Sequence, residues 1–302
     1  MLWVVNRRYI FATMRSNLTT RSIPSSLLLA VAISSAPAWA DKTVSPPRPS
    51  APAAASASTP APAVVPFSSP ESIARLDRAS AKVDFFRLSN HFESQINLGY
   101  CGPTSATIVM NALRADNAKI VKPKDPALFP AEYRKMLPPG LEPVFSRYTQ
   151  STFFDEQTVS VKTRDQFFGK PRVPGGKSSP GLELRELHGI LQAHDLAVDL
   201  RVADDKLTDE QIRRELITNL ATPDDYVVVN IFRPVLGQKG GGHLSPLGAY
   251  DKASDSFLLM DVNPNSQPWV WIPAPLLFKS MRTPDVNENR GYLLVREGTG
   301  TK

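Results

Sequence analysis

The sequence predicts a single α+β domain. Helix-period apolar patterns come first along the chain and a group of strand-type segments follows, with no internal repeat running through either. Ser69-Pro70-Glu71 opens a short helix with Ile73, Leu76 and Ala79 on one face. A clearer helix follows Cys101: Pro103 suits its first turn, and Ala106, Val109, Met110 and Leu113 fall at helical spacing. Residues 122–143 are Pro-rich and irregular, with a short helix at 131–137. A polar region runs from Phe153 to Gly181. Residues 182–194 then read as a helix with Leu184, Leu187 and Leu191 inward, and 198–202 as a strand. Thr208-x-x-Gln211 is a capping box leading into Ile212, Leu216 and Leu220. Strands are expected at 226–232, 244–250, 257–262 and 291–296, the middle pair joined by a turn centred on Ala253-Ser254.

Three segments are expected along the 302 residues. Arg7, Arg8, Arg15 and Arg21, the apolar run Leu27–Ile33 and the small-x-small site Ala38-Trp39-Ala40 read as a signal peptide over 1–40, which implies export, with a bacterial periplasm expected. Residues 41–68 form a Pro/Ala/Ser-rich linker, since seven prolines fall between 43 and 66 and little there could enter a core. Residues 69–302 are the catalytic domain. The leader's four arginines account for most of the +6 net charge, and the rest of the chain balances 31 bases against 29 acids. No basic cluster argues for nucleic acid, and the apolar run is too short to span a membrane.

Cys101 is the only cysteine. It has no intramolecular disulfide partner, and at a helix N-terminus the helix dipole favours its thiolate. Opposed residues of an antiparallel hairpin have numbers with a constant sum, here about 506, so His243 falls opposite position 263, or 261 in a slightly tighter register, and can face Asp261 across one hairpin end. A carboxylate there fixes the imidazole tautomer, and the imidazole serves a nucleophilic thiol as base and acid. Gln95 is the natural second donor, with the Cys101 backbone N–H, for a developing oxyanion. His243 follows Cys101 by 142 residues, within the roughly 130–150 seen in papain-like chains. "GQKGGGH" lacks Gly-Lys-Ser/Thr and precedes a strand, so it is no phosphate loop; its glycines, Gly242 included, read as room for a substrate backbone. His91, His188 and His194 have no partner pattern, and no residue set has metal-ligand spacing.

"NHFESQINLGYCGPTSATIVMNAL" and "GGGHLSPLGAYDKASDSFLLMDV" together resemble the phytochelatin synthase family in its short bacterial form, over about residues 83–297. The resemblance implies a papain-like fold, with a helical lobe carrying the nucleophile packed on a mostly antiparallel sheet. It also implies attack on the Cys–Gly bond of glutathione, with release of glycine and a γ-Glu-Cys thioester. Cys101 would be nucleophile, His243 base and acid, Asp261 orienter and Gln95 oxyanion donor. Asp285 and Arg290 in "TPDVNENRGYLLV" would grip the γ-glutamyl amine and carboxylate, with Asn230 and Arg233 of "VNIFRPVLG" as further substrate residues. No cofactor is implied; Cd²⁺ or Zn²⁺ would enter as a glutathione-thiolate complex, as substrate. Glutathione is the expected partner, and the protein is expected as a monomer or homodimer.

Two departures from the family pattern point from polymer synthesis to hydrolysis. Asn263-Pro264-Asn265-Ser266 replaces the family's Arg-aromatic-Lys-Tyr-like run, and the plant enzymes' Cys-rich extension is absent from this sequence. "Gln-x5-Cys-Gly-Pro" also occurs in papain-like peptidases that cut leader peptides, which is the alternative. A thiol-based binding module without turnover ranks below both, a single thiolate being a poor metal site.

Overall fold

The computed structural model describes residues 63–298. The signal peptide expected over 1–40 and the linker up to residue 62 lie outside the described residues. Val65–Pro66 (β1), at the end of the Pro/Ala-rich stretch, already pairs with a strand of the sheet, and Phe67 packs on Trp269.

Pro70–Arg78 (α1) starts where the cap signal placed it, with the Ser69 hydroxyl accepting from the Ser72 N–H. Its inward face differs from the expected one. Ile73 is 64% exposed, while Ser72 and Ala79 are buried, because the Trp271 indole donates to the Ser72 hydroxyl (2.8 Å). Val83–Asn90 (α2) has a weak apolar period and was not expected. Cys101–Arg114 (α3) is buried on nearly every side, wider than the stripe expected, because its small residues Gly102, Ser105, Ala106 and Ala112 let neighbours approach from all around. Residues 131–136 form a 3₁₀ turn where a short helix was expected.

The polar region 153–181 holds two short helices, Glu156–Val161 (α4) and Arg164–Phe167 (α5). Their signal was capping chemistry: Asp155 caps the first, and Thr163 with Gln166 forms a capping box on the second. Leu184–Ala193 (α6), Leu196–Val202 (β2) and Asp209–Leu220 (α7) follow as expected, the last opened by the Thr208/Gln211 capping box. Asp225–Phe232 (β3), Gly242–Asp251 (β4) and Ser256–Leu259 (β5) come next. Val270–Pro273 (β6) and Ala274–Met281 (α8) were not expected, and Gly291–Glu297 (β7) closes the fold.

The seven strands form one antiparallel sheet in the order β1-β6-β5-β4-β3-β7-β2. Helices cover both faces. The core with α3 and α6 holds Ile108, Val109, Leu187, Leu191, Tyr226, Val228 and Leu293. The other core, with α7 and α8, holds Ile212, Leu216, Val227, Val229, Phe278 and Tyr292. That is why "YVVVNIF" is apolar at consecutive positions and does not alternate: β3 is buried on both sides. The β4–β5 turn closes through Asp255 at φ 43°, and a bulge between Leu247 and Ala249 shifts the register by one residue before the strands part. No helix among the described residues is long and apolar enough to cross a membrane.

Candidate active site

One end of the sheet gathers the end of β3, the start of β4, the segment after β5 and the approach to β7, and the N-terminus of α3 meets it there. Cys101 is the first residue of α3 and a free, partly exposed thiol. Its helix has no side-chain cap, so the first-turn N–H groups face the sulfur unopposed. The loop leading to it is pinned. The Gln95 N–H donates to the Val262 carbonyl (2.7 Å), and the buried Gln150 carboxamide oxygen accepts from both the Ile96 N–H (2.9 Å) and the Thr104 hydroxyl (2.7 Å). Sequence reasoning missed Gln150. It lies in the polar region with no local pattern, and only the fold brings it under the nucleophile loop.

His243 Nε2 lies 2.9 Å from Asp261 Oδ1 and 2.8 Å from the Ser245 hydroxyl, so Nδ1 is the ring atom left to share the hydrogen bond with Cys101. The β4–β5 ladder stops at Leu247–Leu259, and the His243 and Asp261 side chains meet beyond it. Burial raises the Cys101 pKa, but the His243 hydrogen bond and charge, with backbone hydrogen bonds from Leu244 and Gly102, outweigh it and lower the thiol below its ordinary 9.0. Burial lowers the His243 pKa, and Asp261 and Cys101 reverse that and raise it above 6.5. Asp261 is fully buried. Burial raises its pKa, yet its hydrogen bond to His243 and the Arg233 guanidinium hold it below the usual carboxylate range. These directions favour a thiolate–imidazolium pair.

The other candidates separate into three groups. Asn230, Gly242, Asp285 and Arg290 line a cleft of about 370 Å³ together with Cys101 and His243, a size in the usual ligand-site range. Register explains the gathering: Asn230 sits between Leu244 on β4 and Gly291 on β7. Asp285 accepts from Arg290 Nη2 (3.0 Å) and from the Asn230 amide (2.8 Å), and Arg290 stacks over Phe232 with its buried Nε unpartnered. A Cβ at Gly242 would meet Arg290 Nη2 at 2.8 Å, so this glycine makes room for the guanidinium and not for a substrate backbone. Arg233 does not line the cleft; it is buried against Asp261. Gln95 is buried, donates one amide N–H to the Asn97 carbonyl (2.6 Å) and is not among the residues that line the cleft. Leu98, Gly99, Pro180, Gly181 and Leu182 complete the cleft wall and were not foreseen. Among the described residues no cluster of His, Cys, Asp and Glu has metal-site geometry.

Fold and site together bring a thiol, an imidazole and a carboxylate to the helix–sheet junction of an α+β fold. The family model described as phytochelatin synthase matches residues 56–128 and 140–292, and the chain belongs to that family. Glutathione gamma-glutamylcysteinyltransferase 3 of Lotus japonicus is 27% identical over 244 residues, covering 78% of this chain and 43% of that protein. Glutathione gamma-glutamylcysteinyltransferase 1 of Arabidopsis thaliana is 26% identical over 245 residues, covering 79% and 43%. The chain thus spans less than half the length of these curated relatives. Among solved structures, xylellain, a cysteine protease from Xylella fastidiosa, aligns at 14% identity with a TM-score of 0.35, covering 74% of this chain and 88% of that one.

Proposed function

We propose that the protein cleaves the Cys–Gly bond of glutathione through a γ-Glu-Cys thioester on Cys101, with water as the main acceptor. One observation carries this: Cys101 and His243 share one cleft with the Asp285–Arg290 pair. An α-amino acid end is a zwitterion. It exchanges with an Arg–carboxylate pair without creating net charge, its amine meeting Asp285 and its carboxylate the guanidinium. The thiolate attacks the cysteinyl carbonyl, and the Cys101 N–H holds the oxyanion. Imidazolium Nδ1–H protonates the departing glycine amine. His243 then takes a proton from water, which hydrolyses the thioester. Water is favoured over a second glutathione because Asn263–Ser266 offers no cation for an acceptor's carboxylates. A Cd²⁺ or Zn²⁺ thiolate of glutathione would be substrate. The leader read at 1–40 adds an exported location to this proposal.

The test incubates the full chain with glutathione, with and without Cd²⁺, and follows products by mass spectrometry. γ-Glu-Cys and glycine are expected, with turnover abolished by Cys101→Ser and KM raised by Arg290→Ala. Longer (γ-Glu-Cys)n-Gly products would make it a synthase. Cleavage of peptides lacking a γ-glutamyl group, indifferent to Arg290→Ala, would replace this reading with the peptidase one.

A further inference from the structure

Arg233 stands outside the cleft yet is among the most enclosed cations of the molecule, at 5% exposure. Its Nη2 donates to Asp261 Oδ1 at 2.9 Å, and its Nη1 makes a 2.7 Å ion-pair contact with the fully buried Oδ2, which has no hydrogen-bond partner. Asp261 Oδ1 also receives the Asn263 N–H (2.8 Å) and faces His243 Nε2 (2.9 Å). The loop between β3 and β4 is folded around this arginine. The Arg233 N–H donates to the Gly241 carbonyl (3.1 Å), and the Gln238 side chain accepts from Nη1 (3.1 Å). Gly237 and Gly240 take left-handed conformations (φ 71° and 112°), and a Cβ at Gly240 would crowd the Arg233 Cδ at 3.0 Å.

We propose that Arg233 is a positioning residue for the thiol–imidazole pair: its guanidinium keeps Asp261 ionised and aimed at His243, and the glycine-rich loop 237–242 is shaped to seat it. A buried carboxylate with only a histidine partner would be costly in its charged form and would draw a proton. The fixed fork of an arginine removes that option, because it cannot be deprotonated and meets both carboxylate oxygens at once. The charged and titratable groups facing the triad are Cys101 from α3, His243 from β4, Asp261 after β5, Arg233 after β3, and Asp285 and Arg290 across the cleft. Without the Arg233 cation Asp261 takes up a proton and no longer supports the imidazolium. His243 then loses its proton at lower pH, and the thiolate, with less imidazolium beside it, forms at higher pH. The inference rests on the triad chemistry of the proposed function, but not on glutathione being the substrate.

The test is the pH profile of Cys101 alkylation by iodoacetamide in the parent, Arg233→Gln and Arg233→Lys, with circular dichroism reporting folding. For Arg233→Gln the inflection of thiolate formation should move up and that of the imidazolium down, each by about one pH unit. Arg233→Lys keeps the charge and loses the fork: its inflections should stay near the parent's, while kcat on whichever substrate is turned over falls with KM unchanged. Superimposed profiles for Arg233→Gln and the parent would overturn the proposal, as would a raised KM with kcat intact, which marks a substrate contact. Should Arg233→Gln fail to fold, Arg233→Lys decides: kcat equal to the parent's would overturn it. Alkylation needs no glutathione, so failure of the glutathione reading leaves this result standing.

Discussion

Burial pushes the Cys101 thiol up, the His243 imidazole down and the Asp261 carboxyl up, and at each position a specific partner reverses the direction. Asp84 shows the outcome when none does. It is 1% exposed, its Oδ2 has no partner, and burial with the charges of Asp225 and Asp224 lifts its pKa to about 8. A carboxyl raised in the fold binds a proton that the unfolded chain gives up near pH 4, so its contribution to stability falls as pH rises between about 4 and 8. Asp84→Asn should therefore gain stability over the parent progressively across that window, read as the difference in thermal midpoint at pH 5 and at pH 8. A constant difference would exclude ionisation as the cause. His243 and Asp261 were legible as neighbours because a recognisable turn places both near one end of the hairpin, although the ladder itself stops at Leu247–Leu259. Arg233 was read as a substrate contact and Gln150 was not read at all. Both act through partners distant in sequence, 28 residues for Arg233–Asp261 and 54 for Gln150–Ile96, and such contacts leave no local pattern.

Among the elements, those with an amphipathic period were legible: α6, α7, the nucleophile helix and the longer strands. Of the missed ones, α4 and α5 carry caps but no amphipathic period, and β6 carries neither. β6 is four residues long, α5 four and α4 six, and helices that short gain stability from tertiary packing more than from their own residues. At the cleft end of the sheet, β7 enters through Gly291, which pairs with Val202 on one side and Asn230 on the other. A Cβ at Gly291 would collide with the Arg201 carbonyl, a backbone atom with nowhere to retreat. Gly291→Ala should cost about 3 kcal/mol or more by forcing β2 and β7 apart. Chemical denaturation checks this, and a midpoint within error of the parent's would show that the strands yield more easily than the geometry allows.

The sheet joins strands far apart in the chain, β1 with β6 and β2 with β7, so long-range pairings hold the two ends of the described residues together. Arg114 is one of the fold's main fasteners. From the last turn of α3 it bonds both Glu297 oxygens (2.9 and 2.7 Å), the Tyr148 hydroxyl (3.0 Å) and the His194 carbonyl (2.8 Å), joining the nucleophile helix to β7 and the end of α6. Arg114→Met should lower stability by about 3 kcal/mol, the lower end for a broken buried pair because Glu297 keeps some solvent. The same readout applies, and a change under about 0.5 kcal/mol would mark the bridge as dispensable.

The place of β7, between β3 and β2 in the sheet, has a consequence for how the protein is made. A ribosome delivers the chain from its N-terminus. Cys101 emerges long before His243, and Arg290 with β7 follows later still. Until those residues arrive, β2 has no neighbour in the sheet, β3 is an open edge, and one wall of the cleft does not exist. The nascent chain therefore carries a thiol first with neither base nor pocket and then with a base but an unfinished pocket, and its site is complete only once β7 has left the ribosome.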